Sequence, residues 1–290
     1  MFRSISRILV IITLGILAVF VFSIIRFPRD QAGRYVATVL EQRFPAAQCT
    51  VTPPELELPA TLYLEQIRCT RSHGQKEVVV DDIRVTYTPV RSLTGFTARL
   101  RFGAGTVHGK IRLADKGRLV SIEHLQLSAI DLARTAPLLD AFHRSINGSL
   151  SFNGSLQLLS NNFEIVWAQG DLTMRKLNME LYKELFWNRK LLLDELRSKL
   201  SMTGPHLSLT QGQMQGPFFG GTFKVLVKNV RNWQNAQLEG RAAVNPVQSF
   251  LDGNAEARHQ AQLIYRRLAT PYFPVRISGT VHDPIIAISP

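Results

Sequence analysis

Residues 146–158 read INGSLSFNGSLQL, with every even position apolar or glycine and every odd position Ser, Asn or Gln. Successive strand side chains point to opposite faces, so this alternation predicts a β-strand with one greasy and one wet face. Glycines weaken strands and mark bends, which predicts curvature near Gly148 and Gly154. The same period recurs along the chain. Ile83, Val85 and Tyr87 alternate with Arg84, Thr86 and Thr88, and Val107, Gly109, Ile111 and Leu113 alternate with His108, Lys110 and Arg112. Further strands are predicted at 172–174, 196–202, 207–209, 219–227, 238–244 and 273–281. Asn147-Gly-Ser and Asn153-Gly-Ser match the glycosylation acceptor pattern, but both fall inside a strand rather than at a loop tip.

Three segments break into helical spacing. After Pro28, Ala32, Tyr35, Val36, Val39, Leu40 and Phe44 predict a short amphipathic helix. A second helix is expected from 128 to 143, with Ser128 as N-cap. A third is expected from 245 to 268, with Pro246 at the favoured first position and a break at Gly253-Asn254. The chain therefore reads as mainly β, a curved and mostly antiparallel sheet with two or three short helices.

The N-terminus has a different pattern. Residues 8–25, ILVIITLGILAVFVFSII, carry no charge over 18 positions. As a helix this run measures about 27 Å, enough to cross a bilayer core. It exceeds a signal-peptide core and closes without a small-x-small cleavage site, so it reads as a retained anchor. The expected organisation is a cytoplasmic N-terminus at 1–7, the anchor at 8–25, a juxtamembrane helix at 26–46 and a β-rich domain at 47–290. Arg26, Arg29 and Arg34 follow the anchor directly and would meet lipid head groups.

Cys49 and Cys69 are the two cysteines. Both occupy strand-like contexts on either side of Pro53-Pro54, which suits one disulfide in an oxidising compartment; two buried free thiols are the alternative. A formal net charge of +12 suits an anionic partner. The cations are dispersed along the wet parity of strands, with no nucleic-acid-binding motif, so nucleic acid is not the expected partner. Seven histidines are scattered without metal or nucleophile spacing, and no phosphate loop or Gly-x-Ser-x-Gly elbow occurs. Asp81-Asp82 and Asp194-Glu195 are adjacent pairs whose members face opposite ways. The expectation is a non-enzyme with no catalytic residue, metal or cofactor.

Several motifs together carry a family likeness: the anchor, the following Phe-Pro-Arg-Asp-Gln-Ala-Gly-Arg-Tyr-Val, the Cys-bearing first strands, Gly-Asp-Leu-Thr-Met, Phe-Phe-Gly-Gly-Thr-Phe and the closing Phe273-Pro-Val-Arg-Ile-Ser-Gly-Thr-Val-His-Asp-Pro. The chain resembles the type II secretion system protein N (general secretion pathway protein N) family. More distantly it is similar to the AsmA/TamB superfamily of envelope proteins. The resemblance implies a single-pass inner-membrane protein with its body in the periplasm, acting by contact with other secretion-system envelope proteins. The AsmA-like kinship implies a groove-shaped or taco-like sheet that handles lipid. In that alternative, Val107, Ile111, Ile146, Leu150, Phe152, Leu156, Phe219, Phe223 and Val225 line a cavity for acyl chains; otherwise they form a closed core.

Overall fold

The computed structural model describes residues 28–43, 47–58, 60–71, 77–88, 95–115, 118–135, 146–161, 164–185, 188–253, 255–268, 272–281 and 283–288. The anchor at 8–25 and Arg26 lie outside them. Among the described residues no helix is long and apolar enough to cross a membrane.

The described chain is one curved, open, antiparallel sheet. Its strands are β1 (Ala47–Val51), β2 (Glu55–Glu57), β3 (Thr61–Arg71), β4 (Glu77–Tyr87), β5 (Gly95–Phe102), β6 (Gly105–Ala114), β7 (Leu119–Asp131) and β8 (Ile146–Leu159). They continue as β9 (Ile165–Leu185), β10 (Asn188–Thr203), β11 (His206–Gln215), β12 (Phe219–Lys228), β13 (Gln237–Pro246), β14 (Phe273–Gly279) and β15 (Pro284–Ile288). The strand order is β1, then β3 through β15 in sequence, with β2 paired to β3 off that path. From β3 onward each strand pairs with the next along the chain, because two-faced segments joined by short turns bury their greasy sides most simply as a meander.

Register keeps one face apolar across the sheet. Val107 lies opposite Leu127, Leu127 opposite Phe152, and Phe152 opposite Leu172. A second row runs Ile111, Ile122, Leu156, Ala168, Met202, Leu207, Val227. The apolar parity inverts along single strands, however. It passes from Val80 to Ile83 in β4, from Ile122 to Leu125 and again from Leu127 to Ile130 in β7, and from Leu209 to Met214 in β11. A simple period of two would throw the later residues onto the wet face. At each inversion an extra residue sits at positive φ: Asp82 (50°), His124 (51°), Ala129 (53°) and Gln211 (51°). The register shifts at the same places. These are bulges, which bend a strand and tighten its twist. They curve the sheet and restore the face together.

The glycines of the opening stretch divide the work differently from expectation. Gly148 has φ +132° beside a register shift, so it does bend β8. Gly154 adds no such bend. It pairs directly with Gly170, and the Phe152 ring lies over both. A Cβ at Gly154 would come 2.2 Å from the Gln169 carbonyl oxygen.

Among the described residues four α-helices accompany the sheet: α1 (Arg29–Arg43), α2 (Leu132–Thr135), α3 (Gln248–Gly253) and α4 (Ala255–Leu268). The expected helix from 128 to 143 is corrected at its start. Ser128, Ala129 and Ile130 belong to β7, and Ile130 is buried against Val78 and Phe102. The cap is Asp131, whose carboxylate accepts from the Ala133 amide at 2.9 Å. Pro246 likewise closes β13, opposite Phe219, rather than opening a helix. The helical stretch is divided as expected, one helix ending at Gly253 and the next beginning at Ala255. The helical pair joining β13 to β14 packs on the apolar face, where Leu251 and Ala261 meet Phe219, Val244, Phe273 and Val275. Tyr265 stacks on Phe273 with ring centroids 4.9 Å apart.

Cys49 and Cys69 face each other in the β1–β3 register with a Cα–Cα distance of 4.1 Å and form a disulfide. Closing a loop of this length stabilises by roughly 3 kcal/mol.

Candidate functional site

All nine residues read as groove lining share the apolar face. Val107 and Ile111 come from β6; Ile146, Leu150, Phe152 and Leu156 from β8; Phe219, Phe223 and Val225 from β12. Register carries each into one surface, as when Leu150 meets Met174, Met174 meets Leu196 and Leu196 meets Met214. Phe152 and Phe219 are buried, and the other seven are half-buried. One end of this face is covered by α3 and α4, and Leu132 of α2 packs against the same cluster. At the other end Leu113 and Ile165, in one row through Val120 and Leu158, are each 38% exposed. The apolar surface is therefore closed at one end and reaches solvent at the other.

One polar side chain interrupts it. Ser198 stands opposite Leu172, is 5% exposed, and its hydroxyl has no hydrogen-bond partner. Sequence reasoning passed over it, although a lone Ser among Leu196, Leu200 and Met202 on the greasy parity was the signal.

The two edges of the sheet are treated differently. On the first, α1 packs along β1, and Glu41 accepts a hydrogen bond from the Cys49 amide at 3.0 Å. Arg29 adds an ion pair to Glu55 at 3.0 Å. Of the three arginines read as membrane contacts, Arg29 is thus committed to β2. Arg34 is exposed beside a depression of about 300 Å³ next to Cys49. Tyr35, expected on the greasy side of this helix, is instead 72% exposed.

The second edge is β15, a strand absent from the sequence reading because its run is short and follows a proline. It pairs with β14, and no described residue pairs with its outer side. Ile285, Ile286 and Ile288 are 50%, 36% and 44% exposed. An uncovered, apolar edge invites pairing with another chain.

The opposite face is polar and laced with ion pairs. Glu195 lies between Arg197 at 2.6 Å and Arg175 at 3.1 Å. The hydrogen bond from Arg197 leads in holding its carboxyl below the usual carboxylate range, with Arg175 assisting. Asp82 pairs with Arg84 at 3.1 Å and raises that guanidinium further. Asp81 accepts from Gln66 at 2.9 Å. Among the described residues, no three His, Cys, Asp or Glu side chains are grouped to hold a metal. His108, His124, His206 and His259 sit on four different elements. No known family model, curated protein or solved structure matches this chain.

Proposed function

We propose that the protein is an inner-membrane-anchored, periplasmic accessory component of a type II protein secretion system, working by contact through β15. The contrast between the two sheet edges carries this reading. One edge has its Cys49 amide taken by Glu41 and a helix laid along it, while the other presents apolar side chains and a backbone that no described residue pairs. Strand addition to such an edge supplies main-chain hydrogen bonds for affinity and side-chain pockets for specificity. The Cys49–Cys69 disulfide suits an oxidising compartment. The anchor at 8–25 supplies the tether to the membrane. The chemistry is association rather than bond-making.

The experiment is a secretion assay on cells carrying Ile286→Lys with Ile288→Lys. Edge lysines oppose strand pairing but leave the ladder to β14 intact. The variant is expected to fold with an unchanged melting temperature and to lose export of the secreted cargo. Export at the wild-type level would remove the reading.

A second reading is favoured by Ser198 and the exposed pair Leu113 and Ile165: an AsmA-like groove that takes acyl chains. Leu113 and Ile165 then mark the mouth, and the Ser198 hydroxyl meets an ester oxygen within. Native mass spectrometry of the protein purified from membranes tests it. A bound lipid that disappears on Leu150→Asp supports it, and a lipid-free protein rejects it.

A further inference from the structure

On the polar face, three cations stand in direct register: Lys224 on β12 opposite Arg241 on β13, and Arg241 opposite Arg276 on β14. Like charges directly opposite are destabilising in a sheet. Several other cations on this face are matched by carboxylates. Arg175 and Arg197 hold Glu195, Lys228 holds Glu239, Arg112 holds Glu123 and Arg84 holds Asp82. Lys224, Arg241 and Arg276 have no carboxylate partner among the described residues. The next strand places Ala287 opposite Arg276. The neighbours of Arg276 on its own face are Pro274 and Ser278. Glu239, two residues before Arg241, is engaged 2.5 Å from the Lys228 ammonium. All three cations line one depression of about 790 Å³, whose wall also includes Leu226, Ser278 and the Lys228-paired Glu239. An adjoining depression of about 480 Å³ shares Lys224 and Arg241 and adds Gln211, Gln213 and Thr222.

We propose that this row is a binding site for a phosphate-bearing anion. Adjacent strands are about 4.8 Å apart, so two guanidiniums and an ammonium span about 10 Å. Paired N–H donors on neighbouring arginines match the oxygens of a phosphate, which guanidinium engages bidentately. Carboxylates on one side of an extended acidic peptide recur every ~6.6 Å and do not match this spacing. The volume of the depression suits a phosphate group with a substituent, such as a phospholipid head group or a diphosphate. Bound anion removes the repulsion that the empty row carries. The site is independent of β15 and of the apolar face.

Isothermal titration of the full-length chain in neutral detergent at low salt tests it with three probes. These are inorganic pyrophosphate, dihexanoyl-phosphatidylglycerol and dihexanoyl-phosphatidylcholine. Binding of pyrophosphate identifies a free anion as sufficient; binding of the glycerol lipid alone identifies the anionic head group. Arg241→Gln with Arg276→Gln is expected to weaken either by tenfold or more, and Arg112→Gln to leave it unchanged. Without ligand the double glutamine variant is expected to melt no lower than wild type, because a repulsion has been removed. The paired lysine replacement, Arg241→Lys with Arg276→Lys, retains charge and loses the fork, so it weakens binding to a smaller extent. The proposal is overturned if neither anion binds, if the choline lipid binds equally well, or if both double variants keep full affinity.

Discussion

A hydroxyl buried without a partner costs about 1–3 kcal/mol in proteins, and Ser198 carries one. Ser198→Ala is therefore expected to raise the urea midpoint, by about 1 kcal/mol of stability, with no change in slope. A loss of stability would mean that the hydroxyl has a partner. Gly154→Ala is expected to act the other way. Its methyl would meet the Gln169 carbonyl and the Phe152 ring, and overpacking of this kind costs about 1–3 kcal/mol. Glu195 offers a pH test. Its folded pKa is lowered, so its ion pairs are intact above the ordinary carboxylate range and fade as pH falls through that lowered value. An NMR titration should place its midpoint below that of an exposed glutamate, and Arg197→Gln should move it back up. At this scale the sequence disclosed the types of residue but not their partners. The alternation showed that Phe152 faces inward, but the Gly154–Gly170 seat beneath its ring needs the register of β8 with β9.

Strands were the most legible elements, because alternation reports burial on one face directly. The bulges were harder. The switch from Leu209 to Met214 is visible in the sequence, yet the strand expected at 207–209 stops short of it rather than running on through an extra residue at Gln211. The misplaced start of the helix expected from Ser128 has the same origin: a bulge at Ala129 breaks the alternation, and the broken stretch imitates helical spacing. If these bulges set the curvature, Gln211→Gly should be neutral or stabilising by up to about 1 kcal/mol, since glycine adopts positive φ without strain. Gln211→Val should be clearly destabilising by the same equilibrium unfolding measurement. The Cys49→Ser, Cys69→Ser pair should lower stability by roughly 3 kcal/mol under oxidising conditions and be silent under reducing ones. The strand β15 was missed because five residues after a proline give too short a pattern to separate from a tail.

Across the whole molecule, one surface stays apolar over consecutive strands while the two edges end in opposite ways. The first is sealed by α1, Glu41 and the disulfide strand. The last is left with exposed isoleucines. Composition and parity made the sheet and its two faces legible, but an edge is a property of strand order and has no local signature. The proposed function requires β15 to dock a partner strand in the cell envelope. Site-specific photo-crosslinking in living cells measures that directly, with the probe placed at Ala287 on β15 and, separately, at Thr50 on the sealed edge. A crosslink from Ala287 to a secretion-system component, and none from Thr50, is the expected result. Equal capture from both positions, or no secretion component captured from Ala287, would contradict it.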